Sequence, residues 1–508
     1  MEAQLSFFVI PLFLLFLLHN FLAKYYKPNP SLDKLPPGPI KFPLIGNLHQ
    51  LAMSRKLPHH ALRELAQKYG PLMHLQLGEI STVIVSSPKL AKEVMKTHDV
   101  AFSNRPKLLS PEIMGYGSKD IVFSPYGEFW KQMRKICVLE LLSAKRVQSF
   151  SYIREDENAK FIQSIQSSAN STINLTSRIF SMVTSVISRA AFGDKSNDQD
   201  EFVDLVRKVV ELAAGFDVDD LFPSIKLLHK LTGMKPKLEK IHKRVDEIIE
   251  NIVKQHEEKQ AKGKENNNNN NKVENEDLVD VLLRIQESDN LDIQITTNNI
   301  KAVIWDVFVA GTDTTATTIE WAMSEMMKNP SVREKAQAEL RQTLRGKKII
   351  YESDLHELTY LKLVIKETLR LHPPSPLLVP RECTELTIID GYQIPKGTKV
   401  MINAWAMARD PEHWTDAEMF IPERFDGSLL DFKGNNFEYI PFGAGRRMCP
   451  GISFGLASIV LPLALLLYHF NWELPNQMKP KDLDMTEHFG LAVGREIELC
   501  LIPSVYIM

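Results

Sequence analysis

Cys449 has the surroundings best suited to chemistry in this sequence. It lies in the run Pro441-Phe442-Gly443-Ala444-Gly445-Arg446-Arg447-Met448-Cys449-Pro450-Gly451, where three glycines, two arginines and one cysteine share eleven residues. Glycine admits positive φ, so such a loop folds closely around something flat or charged. An apolar stretch from Ile452 to Leu467 follows and reads as a buried helix. Backbone N–H groups at a helix start favour an anionic thiolate. A thiolate for a metal and a guanidinium for a carboxylate make a donor set that suits an iron porphyrin. Alone, a cysteine after a glycine-rich turn is more often inert and buried, so the rest of the chain has to decide.

Three further groups bear on that decision. Trp130 and Arg134 are four apart and share a helix face, presenting an indole N–H and a guanidinium, both donors to carboxylate. Ala310-Gly311-Thr312-Asp313-Thr314-Thr315 interrupts a helical pattern running from about Asn299 to Met327. Glycine there costs about 1 kcal/mol relative to alanine, and Thr and Asp compete for backbone hydrogen bonds. Such clustered violations predict a local opening of the helix beside a small ligand, with a hydroxyl and a carboxyl at hand. Glu367 and Arg370 are three apart on another helix, and Arg424 is placed to complete a charged triad from a later loop.

The elements that position these groups are legible in outline. Composition is that of a folded protein, 44% hydrophobic and 24% charged, and a net charge of −2 without a basic stripe argues against a nucleic-acid partner. The four cysteines are scattered, which suits a reducing compartment and predicts no disulfide. Leu5 to Ala23 is uncharged and long enough to span a bilayer, and Lys24, Lys27, Lys34 and Lys41 follow it. Positive charge on that side puts the following chain in the cytosol. The sequons at Asn170 and Asn174 are accordingly expected to stay unmodified. Residues 1–24 are therefore read as a membrane anchor, 25–45 as a basic, proline-rich hinge containing Leu35-Pro36-Pro37-Gly38-Pro39, and 46–508 as the functional domain. Leu72 to Leu77 and Thr82 to Val85 alternate like a hairpin, and Pro88 opens a helix carrying Leu90, Val94 and Met95 on one side. Helical patterns dominate from there to Arg370, broken by the low-complexity loop Asn266 to Asn271; short strands return after Pro373 and Pro374. The fold class is mainly α with a smaller β portion.

Taken together, Phe442-Gly443-x-Gly445-x-Arg447-x-Cys449-x-Gly451, the Ala310 to Thr315 segment, Glu367/Arg370 with Arg424, and Trp130/Arg134 resemble the cytochromes P450 over nearly the whole chain. The wording Pro422-Glu423-Arg424-Phe425 is similar to plant microsomal members, in a branch serving specialised metabolism with many legume representatives. The resemblance implies the P450 fold, haem b as cofactor and Cys449 as its iron ligand, with Trp130, Arg134, Arg381 and Arg447 at the haem propionates. It implies that Asp313 and Thr314 deliver protons to dioxygen, and that Glu367, Arg370 and Arg424 are structural. It further implies monooxygenation with O2 and electrons from NADPH through a separate NADPH–cytochrome P450 reductase, on the cytosolic face of the endoplasmic reticulum membrane as a single-pass protein. Consistent with a separate electron source, the chain has no GxGxxG nicotinamide fingerprint. Segments that line the pocket in similar proteins are apolar here: Ile304, Phe308, Leu377-Leu378-Val379 and Phe489-Gly490-Leu491. They predict a small apolar substrate, a terpenoid first and a flavonoid or alkaloid second. The rival readings are a haem-thiolate isomerase or dehydratase, against which Asp313 and Thr314 argue, and a membrane haem protein without catalysis.

Overall fold

The computed structural model describes residues 34–193, 199–212, 217–265, 276–288 and 293–507. The expected anchor, the start of the hinge and the asparagine run lie outside the described residues. The rest is helical with a smaller sheet portion, as the sequence pattern predicts.

Leu72–Leu77 (β1) and Ile80–Val85 (β2) form an antiparallel hairpin, with Leu77 opposite Ile80. The turn is the two residues Gly78-Glu79, with Gly78 at φ +60°, so β2 starts two residues earlier than its alternation suggests. Side chains of Leu72, Val83 and Val85 enter one apolar cluster, and Met73, Leu75 and Ile84 another. Both faces are covered, which is why alternation is weak in β2. Arg381–Glu382 (β3) and Lys399–Ile402 (β4) extend this sheet in the order β1-β2-β4-β3, with β2 parallel to β4 and β3 antiparallel to it. β3 thereby delivers Arg381 toward the Cys449 loop.

The helices that matter for the site are Pro58–Tyr69 (α1), Glu128–Ile136 (α2), Leu175–Phe192 (α3), Gln199–Leu212 (α4), Met234–Glu265 (α5), Thr297–Lys328 (α6), Tyr360–Leu371 (α7) and Ile452–His469 (α8). α6 starts at a capping box: Asn299 Oδ1 accepts the Thr296 N–H at 2.9 Å, and Thr296 Oγ1 accepts the Asn299 N–H at 3.4 Å. It stops at Asn329, where Pro330 cannot continue it. Its 32 residues make a rod of about 48 Å through the main core, packed on α3 and α8. α8 is long and apolar enough to cross a bilayer, yet Leu461, Leu463, Leu466 and Leu467 are wholly buried in that core. Its place is internal, as its all-round apolar sequence predicts.

The Glu367 triad forms and is buried. Glu367 Oε1 accepts from Arg370 Nη2 (2.8 Å), Arg424 Nε (2.9 Å) and the Ile421 N–H (2.8 Å), while Oε2 accepts from Arg370 Nε at 2.7 Å. The remaining Arg370 donors reach the carbonyls of Ala408, Ala417 and Met419. With its carboxylate oxygens and guanidinium donors all partnered, the cluster fixes α7 against the segment from 408 to 424 rather than acting as a solvated surface pair.

Candidate active site

The Cys449 loop owes its shape to two glycines in the left-handed region, Gly443 (φ +71°) and Gly445 (φ +69°). A Cβ on Gly445 would lie 2.1 Å from the Met95 carbonyl oxygen, so no larger residue fits there. Asp99 ties the loop down by accepting the Arg446 N–H at 2.9 Å, and the Cys449 N–H reaches Phe442 O at 3.0 Å. Cys449 keeps an accessible side chain. Burial pushes its thiol up, opposed by the Gly451 N–H and the Arg134 charge. The loop alone therefore does not favour the thiolate; a bound metal cation would supply the missing charge.

Guanidiniums converge on this loop. Arg134, on the same α2 face as Trp130, donates to Met448 O. Arg381 on β3 donates to Ala444 O at 2.9 Å and to Asp99 at 3.3 Å. Arg447 donates to Ser103 O (2.8 Å) and Ser124 O (2.6 Å), and its guanidinium stacks 4.1 Å from the Trp130 ring. The Trp130 N–H is taken by Ile121 O at 3.0 Å, so the indole meets the cluster through its face. Sequence reasoning missed a fourth arginine, Arg105, which donates to Val122 O, Val379 O and Pro380 O at 2.7–2.9 Å. Its local context, Asn104-Arg105-Pro106, has no periodicity or motif that would expose it.

These four cations repel one another. Arg105 is held well below its ordinary value by burial, then by the charges of Arg447 and Arg381. Arg447 is pushed down to about 9 by burial and by Arg381, with Asp120 opposing. Burial also lowers Arg134 and Arg381. Buried, mutually repelling guanidiniums beside a cysteine form a socket for a dianionic group with a metal centre.

α6 carries the other residues expected to act. The expected opening of this helix is not found: it runs unbroken through Gly311. Thr312, Thr314 and Thr318 donate their hydroxyls to the carbonyls four residues back at 2.7–2.8 Å, and so satisfy themselves without breaking the helix. Gly311 is there for packing, since a Cβ would stand 2.9 Å from Ile187 Cδ1 of α3. Val307, Ala310, Gly311 and Thr314 share one face and keep accessible surface. Of the expected pocket residues, Ile304 and Phe308 are buried in the core instead, Phe308 against Phe202 at 4.8 Å. Leu377 is likewise buried, whereas Leu378, Val379 and Phe489-Gly490-Leu491 retain accessible surface.

Two acids on α6 differ in what surrounds them. Asp313 is pushed up to about 6 by burial, with Arg207 of α4 opposing. Asp306, also unforeseen, is raised well above the carboxylate range by burial and by Asp120. It accepts the Ile121 N–H at 2.7 Å and the Val122 N–H at 3.1 Å. Asp306 thus holds the loop whose carbonyls bind Trp130 and Arg105.

A family model described as Cytochrome P450 matches residues 36–500. The chain belongs to the cytochrome P450 family, and the arginines and Cys449 described above are donors that would suit the carboxylates and iron of a haem. Cytochrome P450 71D8 of Glycine max is 64% identical, covering 98% of both chains. Premnaspirodiene oxygenase of Hyoscyamus muticus is 55% identical over 99% of both chains. Desmethyl-deoxy-podophyllotoxin synthase of Sinopodophyllum hexandrum is 56% identical over 93% of this chain and 92% of its own. Among solved structures, a zebrafish cytochrome P450 with abiraterone has a TM-score of 0.75 at 26% identity, covering 89% of this chain and all of that one. The chain is a P450 monooxygenase with haem as its cofactor, and its similar relatives are plant proteins.

Proposed function

We propose that Cys449 ligates the haem iron, that Arg105, Arg134, Arg381 and Arg447 hold the propionates with Trp130 stacked beneath Arg447, and that the enzyme hydroxylates an apolar terpenoid. The observation that carries this is that Arg134 and Arg381 donate to carbonyls of the loop that carries Arg447 and the accessible Cys449, with the buried Arg105 close to Arg447 and Arg381. When bound through a thiolate, haem supplies the activation of dioxygen, one atom entering a C–H bond and the other leaving as water.

The chain's own groups do the rest. Val307, Ala310 and Val379 present apolar surface that orients a substrate and keeps bulk water away. Asp313, with its carboxyl near 6, exchanges a proton close to neutral pH. The Thr314 hydroxyl, which donates to Ala310 O at 2.7 Å, still has lone pairs with which to accept a proton and pass its own onward. A rearranging isomerase needs no such pair. Electrons come from NADPH through a separate flavoprotein reductase. Anchoring through residues 1–24 and the 25–45 hinge, at the endoplasmic reticulum with residues 46–508 cytosolic, agrees with the exposed apolar Ile40, Phe42, Leu44 and Ile45 just after the expected anchor. The Asn174 amide is engaged with Glu498 at 2.6 Å, in keeping with an unglycosylated sequon.

Premnaspirodiene oxygenase supports a terpenoid, and the podophyllotoxin-type relative keeps a second, aromatic class in the test. Microsomes with reductase and NADPH, offered terpenoids, flavonoids, alkaloids and lignans, should release a terpenoid product one oxygen atom heavier. Turnover of another class alone would overturn the substrate. A reduced carbon monoxide spectrum typical of histidine ligation would overturn Cys449 as ligand.

A further inference from the structure

Four side chains from distant segments meet at one point away from the haem loop. His59 and His60 lie in the first turn of α1, His372 caps α7, and Glu487 lies in Glu487–His488 (β5), which pairs with Gly494–Arg495 (β6). Nε2 of His59 and Nε2 of His60 each stand 2.9 Å from Oε2 of Glu487. One ligand atom from each of the three residues lies within 4.8 Å of the other two. The other carboxylate oxygen, Oε1, faces Nδ1 of His372 at 3.9 Å, beyond hydrogen-bond reach.

His372 supplies a second, independent observation. Its side chain is 8% exposed, and Nε2 is held by Glu325 of α6 at 2.8 Å. With Nε2 donating to Glu325, a ring that carries one proton has its lone pair on Nδ1. Nδ1 is buried without a hydrogen-bond partner among the described residues. A lone pair and a carboxylate oxygen facing each other in the interior repel unless a cation lies between them. An imidazole whose far nitrogen is tied to a carboxylate is also how proteins orient a metal-binding histidine.

We propose that His59, His60 and Glu487 bind a divalent transition ion of the zinc type, with His372 as the fourth ligand. Imidazole nitrogen and carboxylate oxygen are donors zinc accepts, at about 2.0–2.2 Å. Tetrahedral ligands at that radius stand about 3.3–3.6 Å apart, so the observed 2.9 and 3.9 Å bracket the need. Arg409 is the neighbouring cation; Glu418 holds its Nε at 3.1 Å and Trp405 stacks 4.1 Å from its guanidinium. The ion would tie α1 and α7 to the C-terminal hairpin. That hairpin's loop carries Phe489-Gly490-Leu491, and its Val493 is already pinned to Pro374 and Trp321. Zinc would thus brace a segment on the substrate side without joining the redox chemistry.

The test uses tag-free, haem-loaded full-length protein equilibrated with zinc chloride near neutral pH, gel-filtered, and assayed for zinc and iron by elemental mass spectrometry. The parent should retain about one zinc per iron. His60→Gln, at a ring 35% exposed and so tolerant of change, should bind zinc at least about tenfold more weakly with haem content unchanged. Glu487→Gln should lose zinc as well. No zinc on the parent would overturn the site and leave a hydrogen-bonded clamp. Zinc kept at the parent level by His60→Gln would overturn it too, assigning the metal elsewhere, for instance to the Asp410, Glu412 and His413 cluster.

Discussion

Asp313→Asn should make the protein more stable and less active, and the stability gain should depend on pH. Burial raises the Asp313 carboxyl from 3.8 to about 6, with Arg207 pulling the other way. A carboxyl that binds its proton more tightly in the folded chain stabilises the fold only while protonated. That contribution is complete below about pH 4 and is lost as pH rises through about 6. Two pK units at about 1.4 kcal/mol each mean that ionised Asp313 costs the folded state up to about 3 kcal/mol at pH 7.5, but only about 1.5 kcal/mol at pH 5. Asparagine keeps the shape and removes the charge, so the variant should exceed the parent by those amounts. Unfolding entropy of about 2 cal/mol/K per residue over 508 residues converts 1 kcal/mol into about 1 °C. Calorimetry of haem-loaded protein should therefore show a lead of about 3 °C at pH 7.5, falling by about half at pH 5. Product formation should drop by about 10²-fold or more if the carboxyl passes protons. A parent as stable as the variant at pH 7.5, or a gap that does not grow with pH, would refute the reasoning.

Thr314→Ala should leave haem loading intact while NADPH consumption becomes poorly coupled, with peroxide released in place of product; unchanged coupling would remove Thr314 from the relay. Gly445→Ala should lower the haem-loaded fraction sharply, because its Cβ meets the Met95 carbonyl at 2.1 Å. Gly443→Ala has nothing nearer than Met95 Cε at 3.8 Å and should cost only the positive-φ strain of about 1–2 kcal/mol. Equal losses of haem in the two variants would contradict the steric account.

The parts of the site that were legible in the sequence are those set by local spacing. Trp130 and Arg134 share a face because four residues make about one helical turn, and α2 honours it. The Cys449 loop was legible because glycine has few other reasons to recur there. Arg105 and Asp306 were not, because each acts through backbone groups far along the chain: Arg105 through carbonyls at Val379 and Pro380, Asp306 through N–H groups at Ile121 and Val122. Nothing in the residue types at 105 or 306 announces such partners. The expected opening of α6 failed for a related reason. Gly311 violates helix propensity to admit Ile187, and the threonines repair themselves through their own helix carbonyls. Ile304 and Phe308 show the last limit, since core and pocket ask for the same apolar side chains.

The distribution of unfavourable terms argues for one organising ligand. Away from Cys449, the Glu367 carboxylate is partnered by two arginines, and the spare Arg370 donors by carbonyls. Around Cys449 the balance is reversed: guanidiniums repel one another, and burial pushes the thiol up. Each term is eased by a ligand carrying two carboxylates and a metal cation. Its carboxylates would offset Arg105 and Arg447, and its cation would stabilise the thiolate. Asp306, raised by burial and by Asp120, holds its loop by accepting the Ile121 and Val122 N–H groups. Such a site gains more from its ligand than the ligand's contacts alone provide, because binding also removes repulsion built into the chain. The triad of Glu367, Arg370 and Arg424 is the contrast, since it ties α7 to the segment from 408 to 424 through contacts that need no ligand.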